Sequence, residues 1–207
     1  MKTLLQKKLK TINDHCRDEP MEKPRRSVVI CRGELKMKIE EFETKRLKIR
    51  NYKRTDLDFI ISIWNDPEMG KYMPDPSIEN MDEAYRKGYE TLEDDEECCY
   101  LISESLVTGE PMGTCSFVVS EDGSTYDLGY CMHMNFWRKG YATEMVQGII
   151  ENVKARGAKT ITAPVNKKNT ASNAIMRKLG FNIVGESKFK KMGTDMIMET
   201  YLYSFEL

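Results

Sequence analysis

The chain has 207 residues, of which 40% are hydrophobic and 31% are charged, and its formal net charge is −1 at pH 7. This length suits one globular domain with a single core and leaves too little sequence for two full domains. The chain lacks the run of about 18 apolar residues that a membrane span requires, and its N-terminus lacks the apolar stretch of a signal peptide. We therefore expect a cytoplasmic protein with no membrane partner.

Charge is distributed unevenly along the chain. Residues 1–36 carry ten Lys or Arg against five Asp or Glu, a net charge of +5, which leaves −6 for residues 37–207. An acidic body suits a cationic substrate and disfavours nucleic acid as the main partner.

Cysteine and histidine spacing bears on disulfides and metals. The six cysteines show no C-x-x-C spacing, and His15 and His133 lie far apart without a nearby ligand pattern. Adjacent Cys98 and Cys99 must point to opposite faces of a strand. These spacings predict no disulfide and no metal site.

The first 40 residues differ from the rest, because they are basic, interrupted by Pro20 and Pro24, and without sustained periodicity. We predict a loosely ordered or peripherally docked arm on a domain that occupies residues 41–207. A basic helix that touches RNA or a membrane surface is the alternative. Met37 is a second candidate start, since the peptide RGELKMK can be encoded by a purine-rich run that resembles a bacterial ribosome-binding site.

A strand and a helix open the domain. Residues 46–51, RLKIRN, alternate as a half-buried strand does. Thr55 and Asp58 then have the spacing of a capping box, which predicts a helix of about ten residues. The apolar face of this helix comprises Leu57, Ile60, Ile61 and Trp64.

The next segment is irregular and then helical. Pro67, Pro74 and Pro76 predict a loop, and a second helix is predicted to begin at Ser77 or Asn80 as its cap. The acidic run 93–97 is interpreted as a solvated helix end, with attraction of an amine substrate as the alternative.

Strand patterns dominate the middle and the end of the chain. Three of them, CCYLISES, EPMGTCSFVVS and TYDLGYCMHM, are separated by loops so short that they imply an antiparallel meander. Residues 141–156 have strong helical periodicity and end at Gly157. A strand TITAPV, a capped helix NTASNAIMRKLG, and two strands FNIVGES and MIMETYLYSF follow. The order β α α β β β α β α β β predicts a mixed sheet.

The junction between a strand and the 141–156 helix is a candidate anion site. A helix start leaves up to four amide groups without intrahelical partners and carries partial positive charge. Arg138 and Lys139 add charge, and Gly140 allows close approach of a phosphate. The glycine pattern fits neither a Walker loop nor a dinucleotide fingerprint, and an ordinary turn is the alternative.

Residues 137–144, WRKGYATE, resemble the acyl-CoA pyrophosphate loop of the GNAT superfamily, [QR]-x-x-G-x-[GA]. The likeness is greatest to the branch that includes ribosomal-protein N-terminal acetyltransferases, which commonly reads W-G-K-G-Y-A-T-E. Arg138 replaces a glycine of that branch, which makes a positive φ costlier there. The segments FETKRLKIRN and NTASNAIMRKLGF are similar to two further motifs of the branch, so the resemblance covers about residues 42–206.

The resemblance implies an α+β (α/β/α) GNAT acyl-CoA N-acyltransferase fold, with a mixed, mostly antiparallel sheet of about seven strands and about four helices. It also implies acetyl-CoA as co-substrate, with no metal, and a pantetheine arm paired with the edge of the strand before the loop. The residues it assigns to cofactor binding are Met132, Arg138, Lys139, Gly140, Tyr141, Ala142, Thr143 and Asn169.

Catalytic roles are implied by the same resemblance. A backbone N–H near Met132 would stabilise the oxyanion. Many superfamily members protonate the leaving thiolate with a tyrosine near the last helix; no tyrosine occurs between residues 142 and 200, and Ser172 is the predicted substitute. From the sequence alone, Asn169 is an N-cap and Ser172 a solvated residue of the first turn. His133 is a candidate base and Cys131 a candidate nucleophile, but strand alternation puts both on the face opposite Met132.

We therefore predict an N-acetyltransferase in which a primary amine, on a small molecule or a protein N-terminus, attacks acetyl-CoA directly in a ternary complex. A non-catalytic acyl-CoA sensor or interaction module is the alternative from another class. The protein is expected to be a monomer or a homodimer.

Overall fold

The computed structural model describes residues 38–75, 77, 81 and 83–207. The predicted basic arm, the Met37 start and the cap at Asn80 lie outside the described residues. The strands are β1 (Phe42–Glu43), β2 (Leu47–Asn51), β3 (Cys98–Ser105), β4 (Pro111–Val119), β5 (Thr125–Met132), β6 (Thr160–Asn166), β7 (Asn182–Lys190) and β8 (Ile197–Glu206). The α-helices are α1 (Leu57–Trp64), α2 (Glu83–Glu90), α3 (Tyr141–Ala155) and α4 (Thr170–Lys178).

The eight strands of the described residues form one sheet in the order β1-β2-β3-β4-β5-β6-β8-β7. Six of the seven neighbouring pairs are antiparallel, and only β5 and β6 run parallel. The predicted meander is confirmed as β3, β4 and β5. The mixed α+β fold is confirmed as well, and the strand beyond the predicted seven is the two-residue β1.

Helices cover both faces of the sheet because alternate strand residues bury opposite sides. On one face, α3 and α4 bury Met145, Ile149 and Met176 against the sheet. On the other face, α1 and α2 pack Ile60, Trp64 and Tyr89 against β3. Cys99 lies in the first core and Cys98 in the second, as alternation requires. Among the described helices, none is both long and apolar enough to cross a bilayer.

The parallel pair β5–β6 is short and opens into a cleft. The pairing is limited to Thr125–Asp127 of β5 and Thr160–Thr162 of β6. Lys167 N donates to Glu199 O at 2.8 Å, which identifies the odd-numbered residues of β6 as those that bond to β8. The even-numbered Pro164 therefore faces β5, where it has no N–H to continue the ladder. We call the space between the diverging ends of β5 and β6 the β5–β6 cleft.

The start of α1 corrects one prediction. Thr55 is not the N-cap of a capping box with Asp58, because it lies in a 3-10 turn, Arg54–Asp56, and α1 begins at Leu57. Asp56 accepts the Lys53 amide at 2.9 Å and both terminal nitrogens of Arg50, at 2.7 and 2.8 Å. This bidentate ion pair ties the helix start to β2 and decides where the chain turns.

The acidic run 93–97 is only partly a solvated helix end. A 3-10 turn, Thr91–Asp94, closes α2, and the exposed Asp94 pairs with Arg54. Asp95 is buried and accepts the amides of Glu97 and Cys98, so it caps the turn into β3. These contacts give the run a structural role.

Candidate functional site

Two helix starts lie at the open end of the β5–β6 cleft. Because β5 and β6 are parallel, their carboxyl ends lie at the same edge of the sheet. The chain leaves β5 at Met132 and begins α3 at Tyr141, and it leaves β6 at Asn166 and begins α4 at Thr170. The cleft is therefore flanked by the N-termini of two helices on the same face of the sheet.

The 137–143 loop carries two residues in the left-handed region. Arg138 has φ 60° and Gly140 has φ 81°. A Cβ atom at Gly140 would come no closer than 3.5 Å to another group, a guanidinium nitrogen of Arg46, so the backbone angle is what requires glycine. Arg138 adopts a positive φ without being glycine, at a cost of roughly 1 kcal/mol. The replacement of the branch's glycine has thus not abolished the left-handed conformation.

The amide groups of this loop are available to a ligand. Glu144 N donates to Gly140 O at 3.1 Å, which is the first bond of α3, and no side chain of the residues that the structure describes caps the helix. Within the described chain, no group accepts a hydrogen bond from the amides of Arg138, Lys139 or Gly140. The amides of the first helical turn lack intrahelical acceptors by geometry. The loop is exposed at residues 137–140, so it offers a row of donors to an anion.

Glu144 fixes the start of α3 to the segment before β2. Its Oε1 accepts the Thr44 hydroxyl and the Arg46 amide, each at 2.7 Å, and its Oε2 accepts Arg46 Nε at 2.7 Å. These residues belong to two of the motifs that carry the resemblance, FETKRLKIRN and WRKGYATE. We call this set of contacts the Glu144 latch. Its role was not predicted, because the partners are about 100 residues apart.

Arg46 extends the latch into the loop itself. Its Nη1 donates to the carbonyl of Lys139 at 3.0 Å, and its guanidinium lies 4.1 Å from the centre of the Tyr141 ring. Burial raises the pKa of Glu144, but the hydrogen bonds from Thr44 and Arg46 outweigh this effect and leave its pKa below the ordinary value. The carboxylate of Glu144 is thus ionised at neutral pH. It holds Arg46, which in turn is hydrogen-bonded to the loop at Lys139.

Lys139 points away from the row of amides. Its Nζ donates to the carbonyl of Asn135 at 3.0 Å and lies 6.0 Å from the centre of the Phe136 ring. Arg138 is exposed. Both charged side chains therefore lie at the edge of the loop, and its centre is lined by backbone groups.

The edge of β5 faces the cleft with alternate peptide groups. His133 N donates to the carbonyl of Met112, near the start of β4, at 2.9 Å. Because bonding alternates along an antiparallel pair, the peptide groups of Leu128, Tyr130 and Met132 point the other way, toward the cleft. Trp137 Nε1 donates to the carbonyl of Met132 at 2.6 Å and folds the loop back on the strand.

At the second helix start, Asn169 caps α4. Its Oδ1 accepts the amide of Ser172 at 3.1 Å, as the sequence alone suggested. Asn173 fixes the same turn from inside, because its Nδ2 donates to the carbonyls of Asn166 and Asn169, at 2.9 and 2.7 Å. Tyr203 completes the network by donating to Asn173 Oδ1 at 2.8 Å. Ser172 is half-buried beside this network.

The opposite face of β5 holds the other two candidates. His133 stacks on Phe59 of α1, with ring centres 6.4 Å apart, and its Nδ1 accepts the Asn135 amide at 3.3 Å. Cys131 is packed in the α1 and α2 core, where burial raises the pKa of its thiol to about 12. A thiol of that pKa is protonated at neutral pH, which disfavours a nucleophilic role.

A loop that includes residues 66–75 reaches across the open end of the cleft. The Tyr72 hydroxyl donates to the carbonyl of Lys168, just before α4, at 3.1 Å. Lys191, a buried residue between β7 and β8, donates to the carbonyls of Gly70 and Lys71, at 3.2 and 3.1 Å. Burial lowers the pKa of this lysine. The loop is therefore hydrogen-bonded both to the segment before α4 and to the turn between β7 and β8.

The predicted site residues fall into two groups around the cleft. Met132 and the 137–143 loop lie at its β5 side, and Asn169 and Ser172 lie at its α4 side. Sequence reasoning missed Pro164, the Glu144 latch and the buried hydroxyl of Tyr130. Pro164 was visible as a proline inside a strand, whereas the other two depend on contacts between distant segments.

Comparison with known proteins gives consistent results. A family model described as an acetyltransferase (GNAT) domain matches residues 46–182. An uncharacterized N-acetyltransferase, p20, of Bacillus licheniformis is 26% identical over 174 residues, which cover 80% of this chain and 96% of that protein.

Solved structures share the fold. A GNAT-family acetyltransferase of Bacillus anthracis aligns with a TM-score of 0.68 at 22% identity, over 81% of this chain and 98% of that one. A ribosomal-protein-S5-alanine acetyltransferase of Vibrio fischeri aligns with a TM-score of 0.63 at 19% identity, over 81% and 97%. At these identities the structural likeness establishes the fold alone.

Proposed function

Since this chain belongs to the GNAT acetyltransferase family and is an N-acetyltransferase, we propose that it transfers the acetyl group of acetyl-CoA to a primary amine. The observation that carries the proposal is the set of amides of residues 138–140, for which the described residues provide no acceptor, at the start of α3 beside the β5–β6 cleft. A diphosphate fits such a row, because it needs several donors and positive potential.

The loop residues have different tasks in this proposal. Gly140 allows the backbone to approach the diphosphate, and the amides of Tyr141, Ala142 and Thr143 donate to it from the first turn of α3. Arg138 and Lys139 supply charge at the rim. The Glu144 latch keeps the donors aligned before the ligand arrives, which lowers the entropy lost on binding.

The pantetheine arm runs along β5 in this proposal. Its amides pair with the peptide groups of Leu128 and Tyr130, in place of the missing continuation of β6. The amide of Met132, or its neighbour on the same edge, stabilises the oxyanion that forms when the amine attacks the thioester carbon. Asn169 Nδ2 contacts the cofactor from the α4 side, since Oδ1 is committed to the helix cap.

The amine approaches from the side of the 66–75 loop and the turn between β7 and β8. We propose an amine on a peptide N-terminus or a small molecule, and the named substrate of the Vibrio fischeri structure favours the first. His133 lies on the far face of β5, so solvent takes the proton that the ammonium loses before attack.

Purified protein and acetyl-CoA test this proposal with a panel of short peptides that have free N-termini and of small alkylamines. We expect release of CoA thiol with at least one amine, and acetylation of that amine by mass spectrometry. Acetyl-CoA should also raise the melting temperature. Absence of both binding and turnover would contradict the assignment of the loop.

A further inference from the structure

The 66–75 loop crosses the open end of the β5–β6 cleft on the face opposite α3 and α4. Met69 packs in the core of α1 and α2, and its sulfur accepts the amide of Met134, two residues after β5, at 3.2 Å. Farther along the loop, the Tyr72 hydroxyl reaches the carbonyl of Lys168, beyond β6. The start of α3 packs on the other face. Under the proposed function, the cofactor therefore lies on one face of the cleft, and the amine passes beside this loop on the other.

The loop turns sharply at Gly70 and presents two neighbouring carbonyl groups to one cation. Met73 N donates to Gly70 O at 3.0 Å, which closes the turn. A Cβ atom at Gly70 would lie 2.6 Å from the carbonyl oxygen of Trp64, so the turn has room for glycine only. The carbonyls of Gly70 and Lys71 both accept from Lys191 Nζ, at 3.2 and 3.1 Å. Two carbonyl oxygens that face the same point repel each other, and a cation between them stabilises this arrangement.

Lys191 is a buried cation held by carbonyl groups alone. It directly follows β7, and only 8% of it is exposed. Within the described part of the chain its Nζ pairs with no carboxylate, and burial is what lowers its pKa. Burying an ammonium group costs free energy that an apolar side chain of similar size would avoid. The lysine therefore serves the link to the 66–75 loop rather than core packing, and next to it Met192 N donates to the carbonyl of Pro74 at 3.1 Å.

We propose that Lys191 is a positioning residue for the acceptor amine, because it fixes the 66–75 loop to the turn between β7 and β8. This inference rests on the proposed function, since it takes the space between these two segments as the entrance for the amine. In this role Lys191 neither contacts the reacting atoms nor moves a proton. It keeps one side of the entrance ordered before the amine arrives, which lowers the entropy lost on binding. The cofactor side, on the other face of the sheet, does not depend on it.

The variant Lys191→Met tests the proposal, with Lys190→Met as the matched control. Steady-state kinetics use the peptide or alkylamine of the panel that wild type acetylates fastest, and calorimetry measures acetyl-CoA binding. Lys191→Met should raise the KM for the amine about tenfold, keep kcat within about twofold, and leave the Kd for acetyl-CoA unchanged. Lys190 is the preceding residue and pairs with the exposed Asp195 of the same turn instead. Lys190→Met should change none of the three quantities.

Two further variants separate positioning from general stability. Tyr72→Phe removes the other side-chain hydrogen bond of the loop, so it should raise the same KM, by about threefold. Combined with Lys191→Met, it should cost less or more than the product of the single effects, because both act through one loop. Lys191→Gln keeps N–H donors but has no charge, and its KM should lie between those of wild type and Lys191→Met. A residue that only stabilised the fold would lower affinity for the amine and for acetyl-CoA in parallel.

The outcomes distinguish this inference from the proposed function. If wild type turns over and Lys191→Met has the same KM for the amine, Lys191 does not position it, and the proposed function stands. An equal loss of acetyl-CoA affinity in Lys191→Met would also overturn the inference. If Lys191→Met does not fold, a wild-type KM in Lys191→Gln has the same meaning. If wild type neither turns over nor binds acetyl-CoA, the proposed function fails and this inference fails with it.

Discussion

The starts of α3 and α4 lie at the same edge of the sheet, but they differ in how their amides are used. At α4, Asn169 caps the helix with its own side chain. At α3, a left-handed glycine precedes the helix, and in the described part of the chain no side chain caps it. The amide of Ser172 at the start of α4 thus has a side-chain acceptor, and the start of α3 has no such cap among the described residues.

Under the proposed function, this difference separates a helix start that contributes stability from one that binds the cofactor. Capping by an Asn side chain contributes about 1 kcal/mol to a helix. The start of α3 forgoes that contribution, and the Glu144 latch holds it in place from the side with three hydrogen bonds. The amides of residues 138–140 therefore stay ordered without hydrogen-bonding to other described groups.

The largest effect is expected from Gly140→Glu, which gives the bare helix start a carboxylate. It should weaken acetyl-CoA binding by at least about 100-fold, because a negative charge and a strained backbone now meet the diphosphate. Isothermal titration calorimetry with acetyl-CoA measures this change.

Gly157→Glu is the matched control for Gly140→Glu. Gly157 has φ 90° and open space around it, so the backbone strain is similar. It lies at the other end of α3, roughly 22 Å from the loop for a helix of this length. The Gly157→Glu variant should have a lower free energy of unfolding than wild type but the same affinity for acetyl-CoA. Equal loss of affinity in both variants would contradict the assignment of the 137–143 loop.

The second expected effect tests whether the latch organises the bare start. Glu144→Gln keeps the size of the side chain but presents an amide to Arg46, and should weaken acetyl-CoA binding about tenfold and lower the free energy of unfolding by about 1–2 kcal/mol. Glu151→Gln, on an exposed position of the same helix, is the control and should change neither. Fluorescence-monitored urea unfolding and calorimetry measure the two quantities.

The latch also predicts a pH dependence of stability. The pKa of Glu144 is below its ordinary value of 4.5 in the folded chain. Its contribution is therefore complete above about pH 4.5 and is lost as the pH falls through the folded-state pKa. The difference in unfolding free energy between wild type and Glu144→Gln should shrink in melts run below that pH. A difference that stays constant down to about pH 3 would show that the charge is not what matters.

A smaller effect is expected from removing the cap of α4. Asn169→Ala should lower the free energy of unfolding by about 1 kcal/mol, because the amide of Ser172 loses its acceptor. Asn169→Asp retains an oxygen at the same place and should restore the stability. Circular dichroism melts decide this point. Equal stability of Asn169→Ala and wild type would mean that the two helix starts differ less than their geometry implies.

The smallest effect concerns Asp127, which lies in the last residue pair between β5 and β6, where the β5–β6 cleft begins. Burial raises its pKa to about 6, against the opposing effect of the Thr162 hydroxyl, which donates to it at 2.7 Å. Stability contributed by the neutral form is present below the ordinary pKa of 3.8 and is lost as the pH rises through about 6.

Asp127→Asn should therefore be more stable than wild type above pH 6, by about 1 kcal/mol. We expect no more than this, because Asp127 keeps some contact with solvent. The advantage should vanish below about pH 4, where wild type is also neutral. Thermal melts across this pH range provide the measurement, and an advantage that persists at low pH would exclude burial of charge as its cause.

Much of the fold was predictable because its signals are local. The periodicity of 141–156 predicts α3 to within one residue, and the pattern CCYLISES coincides with β3. The start of α1 was predicted wrongly, since the Arg50–Asp56 ion pair overrides the capping-box spacing.

The site was predictable only in part. The helix start after Gly140 was predicted from its own residues, because it is a local feature, and the role of the 137–143 loop in binding stays a prediction. The Glu144 latch needs residues about 100 positions apart. Pro164 could be seen in the sequence, but only the strand order reveals that its missing N–H faces β5.

Pro164 has a further consequence for how the molecule moves. The sheet consists of two antiparallel blocks, β1–β5 and β6–β8, joined edge to edge by only three residue pairs. A pantetheine chain lying between the two blocks would supply hydrogen bonds to β5 that β6 cannot form beyond Thr162. Amide hydrogen exchange at Leu128 and Tyr130 should then slow markedly with cofactor present, and the two blocks should unfold as one unit when it is bound.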